Sequence, residues 1–111
     1  MTDGPIDEAI FAELADTTGA DFVAVLVTAF LDEAPGMMED LKAALGQGDA
    51  DAFRRAAHSI KSNADVFGAT ALAEIARAME QDGPSAGHDG LGALEIAFET
   101  AASALRGRLD G

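Results

Sequence analysis

The sequence contains no cysteine, no tryptophan and no tyrosine. The first absence excludes disulfides and thiolate metal sites, and it fits a reducing compartment. The other two, with only six phenylalanines, leave few of the aromatic residues that favour strands. Basic residues are also scarce: seven Lys and Arg stand against 20 Asp and Glu, for a net charge of −13. That balance argues against nucleic acid and anionic membrane as partners, because both demand Lys and Arg to neutralise phosphates. The most apolar stretch, Phe22 to Leu31, is far too short to cross a bilayer. The opening MTDGPIDEAI is acidic and has no basic region leading into an apolar run, so no signal peptide is expected. These readings predict a soluble, cytoplasmic protein.

What is present is alanine, together with Leu, Ile, Val, Met and Phe at helical spacing, which predicts an all-α chain. The 111 residues suit one domain with one core, over 1–111. Ile6 to Ala15 reads as a short opening helix, ended by TTGAD. Asp21 is the expected N-cap of the next helix, with Phe22, Val25, Leu26, Ala29 and Phe30 as its buried stripe. At Pro35 that helix either stops and restarts or continues with a kink; Met37, Met38, Leu41, Ala44 and Leu45 carry the apolar face on to Gly46. GQGD is a turn in which Asp49 or Asp51 can cap a helix from Ala50 to Phe67, closed by Gly68. Thr70 is the expected cap of a fourth helix that turns Leu72, Ile75, Ala76 and Met79 inward. The glycine-rich stretch Asp82 to Gly92 reads as a mobile loop, followed by a last helix from Gly90 to Leu109. Four amphipathic helices with short connections predict an antiparallel four-helix bundle, with the short first helix across one end.

The helix from Ala50 carries the candidate chemistry. Phe53, Ala57, Ile60, Ala64 and Phe67 recur at spacings of four and three and form its core face. His58, one of only two histidines, lies one step off that face. Arg54 and Arg55 precede it, and Lys61 and Ser62 follow it, at separations of three and four that make neighbours on a helix surface. Between Ala50 and Val66 three basic residues face two acidic ones, a local cationic balance on an acidic chain. An exposed imidazole is a nucleophile near neutral pH, and nearby positive charge favours the unprotonated ring and an anion delivered to it. A phosphoryl group is the natural candidate, since its transfer needs positioning and charge neutralisation above all. Lys61 can meet the phosphoryl oxygens, and Ser62 is small enough to admit a partner. There is no Walker loop or other glycine-rich nucleotide motif and no acidic triplet for a metal, so phosphate must arrive from, and leave to, another protein.

The residues His58-Ser59-Ile60-Lys61, with Gly68 ten positions after the histidine, resemble the signature of histidine phosphotransfer (HPt) domains. The flanks GDADAFRRAAH and GATALAEIARAME, and the earlier TTGADFVAVLVTAFLDEAP, are also similar to that family, so the resemblance runs from about Ile6 to Leu105. It implies a four-helix bundle that carries a phosphoryl group on His58, on Nε2, between receiver-domain aspartates of a two-component phosphorelay, with Lys61 assisting electrostatically. The partners implied are response-regulator receiver domains and a hybrid histidine kinase. The magnesium ion belongs to the receiver, so no cofactor or metal is expected here, nor any kinase activity. Where the family places glycine after the lysine, this chain has Ser62, which bears on how closely a receiver loop can approach.

Plainer readings stand beside these. His58 can be an ordinary surface histidine, and Lys61 a solvated lysine paired with Asp65 at i+4. Arg54 and Arg55 either steer a partner or pair with Asp51; Ser62 and Asp65 are further candidates for partner contact. Gly68 reads as a helix terminator, His88 as an unpartnered loop residue, and Met37, Met38 and Met79 as core fillers. The competing function is a pseudo-phosphotransfer adaptor that binds a receiver or kinase without carrying phosphate. A helical metal-binding bundle is disfavoured, since Glu-x-x-His precedes neither histidine. A monomer is expected, and the length and polar ends favour a free-standing protein.

Overall fold

The computed structural model describes residues 6–110; residues 1–5 and 111, part of the expected domain and of the acidic opening segment, lie outside the described residues. Five helices follow one another: α1 (Glu8–Thr18), α2 (Ala20–Gln47), α3 (Ala50–Phe67), α4 (Thr70–Asp82) and α5 (Pro84–Asp110). α2 packs on α3, α3 on α4, α4 on α5 and α5 on α2, which closes a four-membered ring. The connections Gly48–Asp49, Gly68–Ala69 and Gly83 are so short that successive helices must run antiparallel. α1 packs on α2 and α3, across one end of the bundle, after a bend of 118° between α1 and α2. Among the described residues no single helix is long and apolar enough to cross a membrane.

The core is one cluster fed by α2 to α5. Phe30 lies 5.3 Å from Phe67 and 6.4 Å from Phe98, ring centre to ring centre, and so ties α2 to α3 and α5. Leu41, Phe53, Leu94 and Leu105 are completely buried, and each such side chain contributes about 1.5–3 kcal/mol. On α3 the expected face of Phe53, Ala57, Ile60, Ala64 and Phe67 is buried throughout. On α2 the inward stripe is Val23, Val27, Phe30, Ala34, Met38 and Leu41; Phe22, Val25 and Ala29 are exposed, contrary to expectation. The early part of α2 is apolar on nearly every side, so periodicity alone left two faces eligible, and packing selected the one that places Val27 and Phe30 in the centre.

Several ends differ from expectation for local reasons. α1 runs on to Thr18, and Gly19, with φ 92°, makes the break that TTGAD was expected to make. Asp21 sits in the first turn of α2, where its charge suits the helix dipole, and Gly19 is the N-cap. Ala69, not Thr70, caps α4 without any side-chain bond. α2 passes through Pro35 unbroken; the proline is exposed, and its missing amide leaves the carbonyl of Leu31 one turn earlier without its helical partner. Asp49 caps α3 as expected, its carboxylate accepting from Ala52 N–H at 3.1 Å. The expected loop over 82–92 is the largest departure: α5 begins at Pro84, a residue suited to the first helical position. A Cβ on Gly90 would lie 3.1 Å from Met79 Cε, so α5 packs closely on the end of a flexible side chain of α4 at this point.

Candidate functional site

The α3–α4 hairpin brings the site together. Gly68 ends α3 in the left-handed conformation (φ 77°), its N–H bonded to the carbonyls of Ala64 and Asp65. The role expected of Gly68 is therefore the one it fills, and a second constraint adds to it. Its carbonyl accepts from Asp7 N–H at 2.7 Å, and a Cβ would lie 2.9 Å from Asp7 O. From this turn α4 folds back along α3 with Leu72, Ala73, Ala76 and Met79 inward. Glu80, one step beyond buried Met79, then faces α3 at the level of His58.

His58 is on the outer side of α3, its side chain 55% exposed, open to an incoming protein. Its Nδ1 lies 2.9 Å from Glu80 Oε2. A carboxylate only accepts, so Nδ1 carries the proton of the neutral ring and Nε2 is left with its lone pair outward. The other oxygen of Glu80 lies 3.6 Å from Lys61 Nζ, so one carboxylate holds both the imidazole and the ammonium. Lys61 is more enclosed than His58, in the crease between α3 and α4. Ser62 Oγ is 3.4 Å from His58 Nε2.

Arg54 donates from Nε to the backbone carbonyl of Glu80 at 3.2 Å and thereby holds the last turn of α4. A Cβ on Gly83 would come within 2.7 Å of Arg54 Nη2, so the glycine makes room for the guanidinium. The pairing of Arg54 with Asp51 that sequence spacing allows is replaced by this contact. The pairing of Lys61 with Asp65 is likewise replaced, by Glu80. Asp65 is exposed and lines a shallow cavity with Lys61, Glu74 and Arg77, on the flank of Lys61 away from His58. Arg55 is exposed, makes no ion pair among the described residues, and with Arg54, His58, Ser59 and Glu80 lines an open groove of about 490 Å³. His88 is exposed on α5, not in a loop.

Sequence spacing therefore placed His58, Lys61, Ser62, Arg54 and Arg55 on one surface, as found. It did not bring Glu80 to His58, so the patch read as locally cationic has a carboxylate at its centre. A usable signal existed: His58 is ten residues before Gly68 and Glu80 eleven after Ala69, so nearly equal arms of an antiparallel hairpin set them side by side.

An exposed imidazole on a helical bundle, fixed at one nitrogen by a carboxylate and attended by a lysine, is the chemical centre of this site. The family model of the Hpt domain matches residues 25–108, and the chain belongs to the Hpt domain family. Hpt domains have histidine phosphotransfer roles in phosphorelays, and they interact with receiver domains and histidine kinases of two-component systems. Comparison with curated proteins and with solved structures gave no match.

Proposed function

We propose that this chain carries a phosphoryl group on Nε2 of His58 between receiver-domain aspartates. The observation that carries the reading is the 2.9 Å contact of His58 Nδ1 with Glu80, which leaves Nε2, with only the Ser62 hydroxyl near it among the described side chains, as the nitrogen with a free lone pair. In the transfer the Nε2 lone pair forms a bond to phosphorus as the bond from phosphorus to the aspartyl oxygen breaks, and the aspartate leaves as a carboxylate. No proton has to leave Nε2. The ring becomes cationic, with its Nδ1–H still donated to Glu80, so the carboxylate offsets the charge that develops. Lys61 is close enough to turn from Glu80 to the phosphoryl oxygens, where its charge is of use. Magnesium and the aspartate come with the receiver, and the chain itself supplies nucleophile, orientation and charge. The groove bounded by Arg54 and Arg55 beside His58 is the surface on which the acidic pocket of a receiver would dock.

The test is incubation with a phosphorylated receiver domain, following labelled phosphate. Wild type should gain an acid-labile, alkali-stable label and His58→Gln none. Equal labelling of the two would overturn the assignment. A wild-type chain that binds the receiver but takes no label would establish the adaptor reading instead, which Ser62 in the family's glycine position keeps in play.

A further inference from the structure

The only described side chain that approaches the nucleophilic nitrogen is Ser62, and its chemistry there is determined by what Glu80 does on the other side of the ring. Nδ1 gives its proton to Glu80, so in the neutral ring Nε2 is an acceptor. Ser62 Oγ, 3.4 Å away, must then donate. The residue sits one helical turn after His58 and is exposed, so the hydroxyl is free to rotate and follow whatever occupies Nε2. A phosphoryl group on Nε2 puts its oxygens between the nitrogen and this hydroxyl. We infer that Ser62 is a positioning residue for the phosphoryl group: its hydroxyl donates to Nε2 in the free protein and passes to a phosphoryl oxygen once the N–P bond has formed, prolonging the life of the phosphohistidine.

The sign follows from the loose transition state of phosphoryl transfer. As the N–P bond lengthens, negative charge drains from the phosphoryl oxygens towards the departing group. A donor fixed on those oxygens is bound more strongly in the ground state than at the transition state. Loss of Ser62 therefore speeds spontaneous loss of phosphate to water. Glycine at this position would leave the phosphoryl oxygens to solvent and Lys61, so the serine favours storage of the phosphoryl group over rapid turnover.

This rests on the phosphotransfer reading, yet it is testable apart from it. In a His88→Gln background one imidazole remains, and phosphoramidate can load it without a receiver: the N–P bond to Nε2 forms as the phosphoramidate P–N bond breaks and ammonia leaves. The half-life of the purified phosphohistidine is then followed by phosphorus NMR. Ser62→Ala and Ser62→Gly should shorten it about two- to tenfold, the rate change equivalent to one net hydrogen bond, and Ser62→Thr, which keeps the hydroxyl, should restore it. Nitrogen NMR of the unphosphorylated protein supplies a second readout, with the Nε2 resonance of the neutral ring moving in Ser62→Ala and returning in Ser62→Thr. Half-lives within the error of wild type in the Ala and Gly variants would overturn the proposal, whatever the receiver assay gives. Failure of receiver transfer with these shifts intact would instead count against the carrier reading alone.

Discussion

One carboxylate at Glu80 serves two neighbours, the Nδ1–H of His58 and the ammonium of Lys61. Its removal frees the ring to rotate and to place either nitrogen outward. Hydrogen bonds to charged groups are worth about 1.5–3 kcal/mol, so Glu80→Ala is expected to slow phosphoryl uptake from a receiver by about 10- to 100-fold. Glu80→Gln keeps an acceptor for Nδ1–H but no charge to offset the cationic ring, and it should fall between. Rapid-quench measurement of the uptake rate checks both; an Ala variant as fast as wild type would show that ring orientation does not depend on this contact. The same residue marks the limit of reading a site along one helix. His58, Lys61 and Ser62 were legible because positions three and four apart on α3 are neighbours by helix geometry alone. Glu80 is 22 residues away from His58 and reaches it only through a hairpin, and the partners that local spacing offered, Asp51 and Asp65, lost to groups on α4.

Among the elements, α3 was legible from end to end because Asp49, its five-residue apolar face and Gly68 all give the same answer. α2 and α5 were less so. The apolar surface of α2 continues around the helix, and the glycines of early α5 read as a loop until Met79 is packed against Gly90. The glycines also separate two kinds of constraint. Gly48 and Gly68 both have positive φ, 69° and 77°. An added Cβ at Gly48 meets open space, whereas at Gly68 it meets Asp7 and Ile10. Gly48→Ala is therefore expected to cost about 1–2 kcal/mol, the strain of a left-handed alanine. Gly68→Ala should cost more, because α1 must also move away. Urea denaturation of the two variants checks the order; equal losses would mean that α1 contributes nothing to the stability of the α3 terminus.

The whole molecule carries −13 within extents of 41 × 27 × 21 Å, so like charges oppose compaction at distances that dilute buffer does not screen. Raising salt from about 0.01 M to 0.15 M shortens the screening length from about 30 Å to 8 Å. The thermal midpoint should rise with it, by about 4–8 °C for each kcal/mol of repulsion removed. Calorimetry over that range checks the sign. A falling midpoint would show that exposed pairs such as Lys42 with Glu95 outweigh the general repulsion. Lys42 does gain from its surroundings: the hydrogen bond and the charge of Glu95 hold its ammonium above the usual lysine range, against the effect of burial, with Glu39 adding less. By sign, that gain is complete below the unfolded-state value of about 10.4 and disappears only as pH climbs past the raised folded value, so it does not disturb a salt titration at neutral pH.

The two-residue connection between α3 and α4 has a consequence for how sequences of this design can vary in length. A residue inserted within either helix between His58 and Glu80 would turn the part between it and the connection by about 100° about its axis relative to the rest, carrying Glu80 off the line to His58 even if the helices still packed. The span from His58 to Glu80 thus acts as a ruler with a fixed number of divisions. Gly19 and Gly48, where an added Cβ would meet open space, stand outside that span. Insertions and deletions over evolutionary time should accumulate at such places, while the interval between the imidazole and its carboxylate keeps its count.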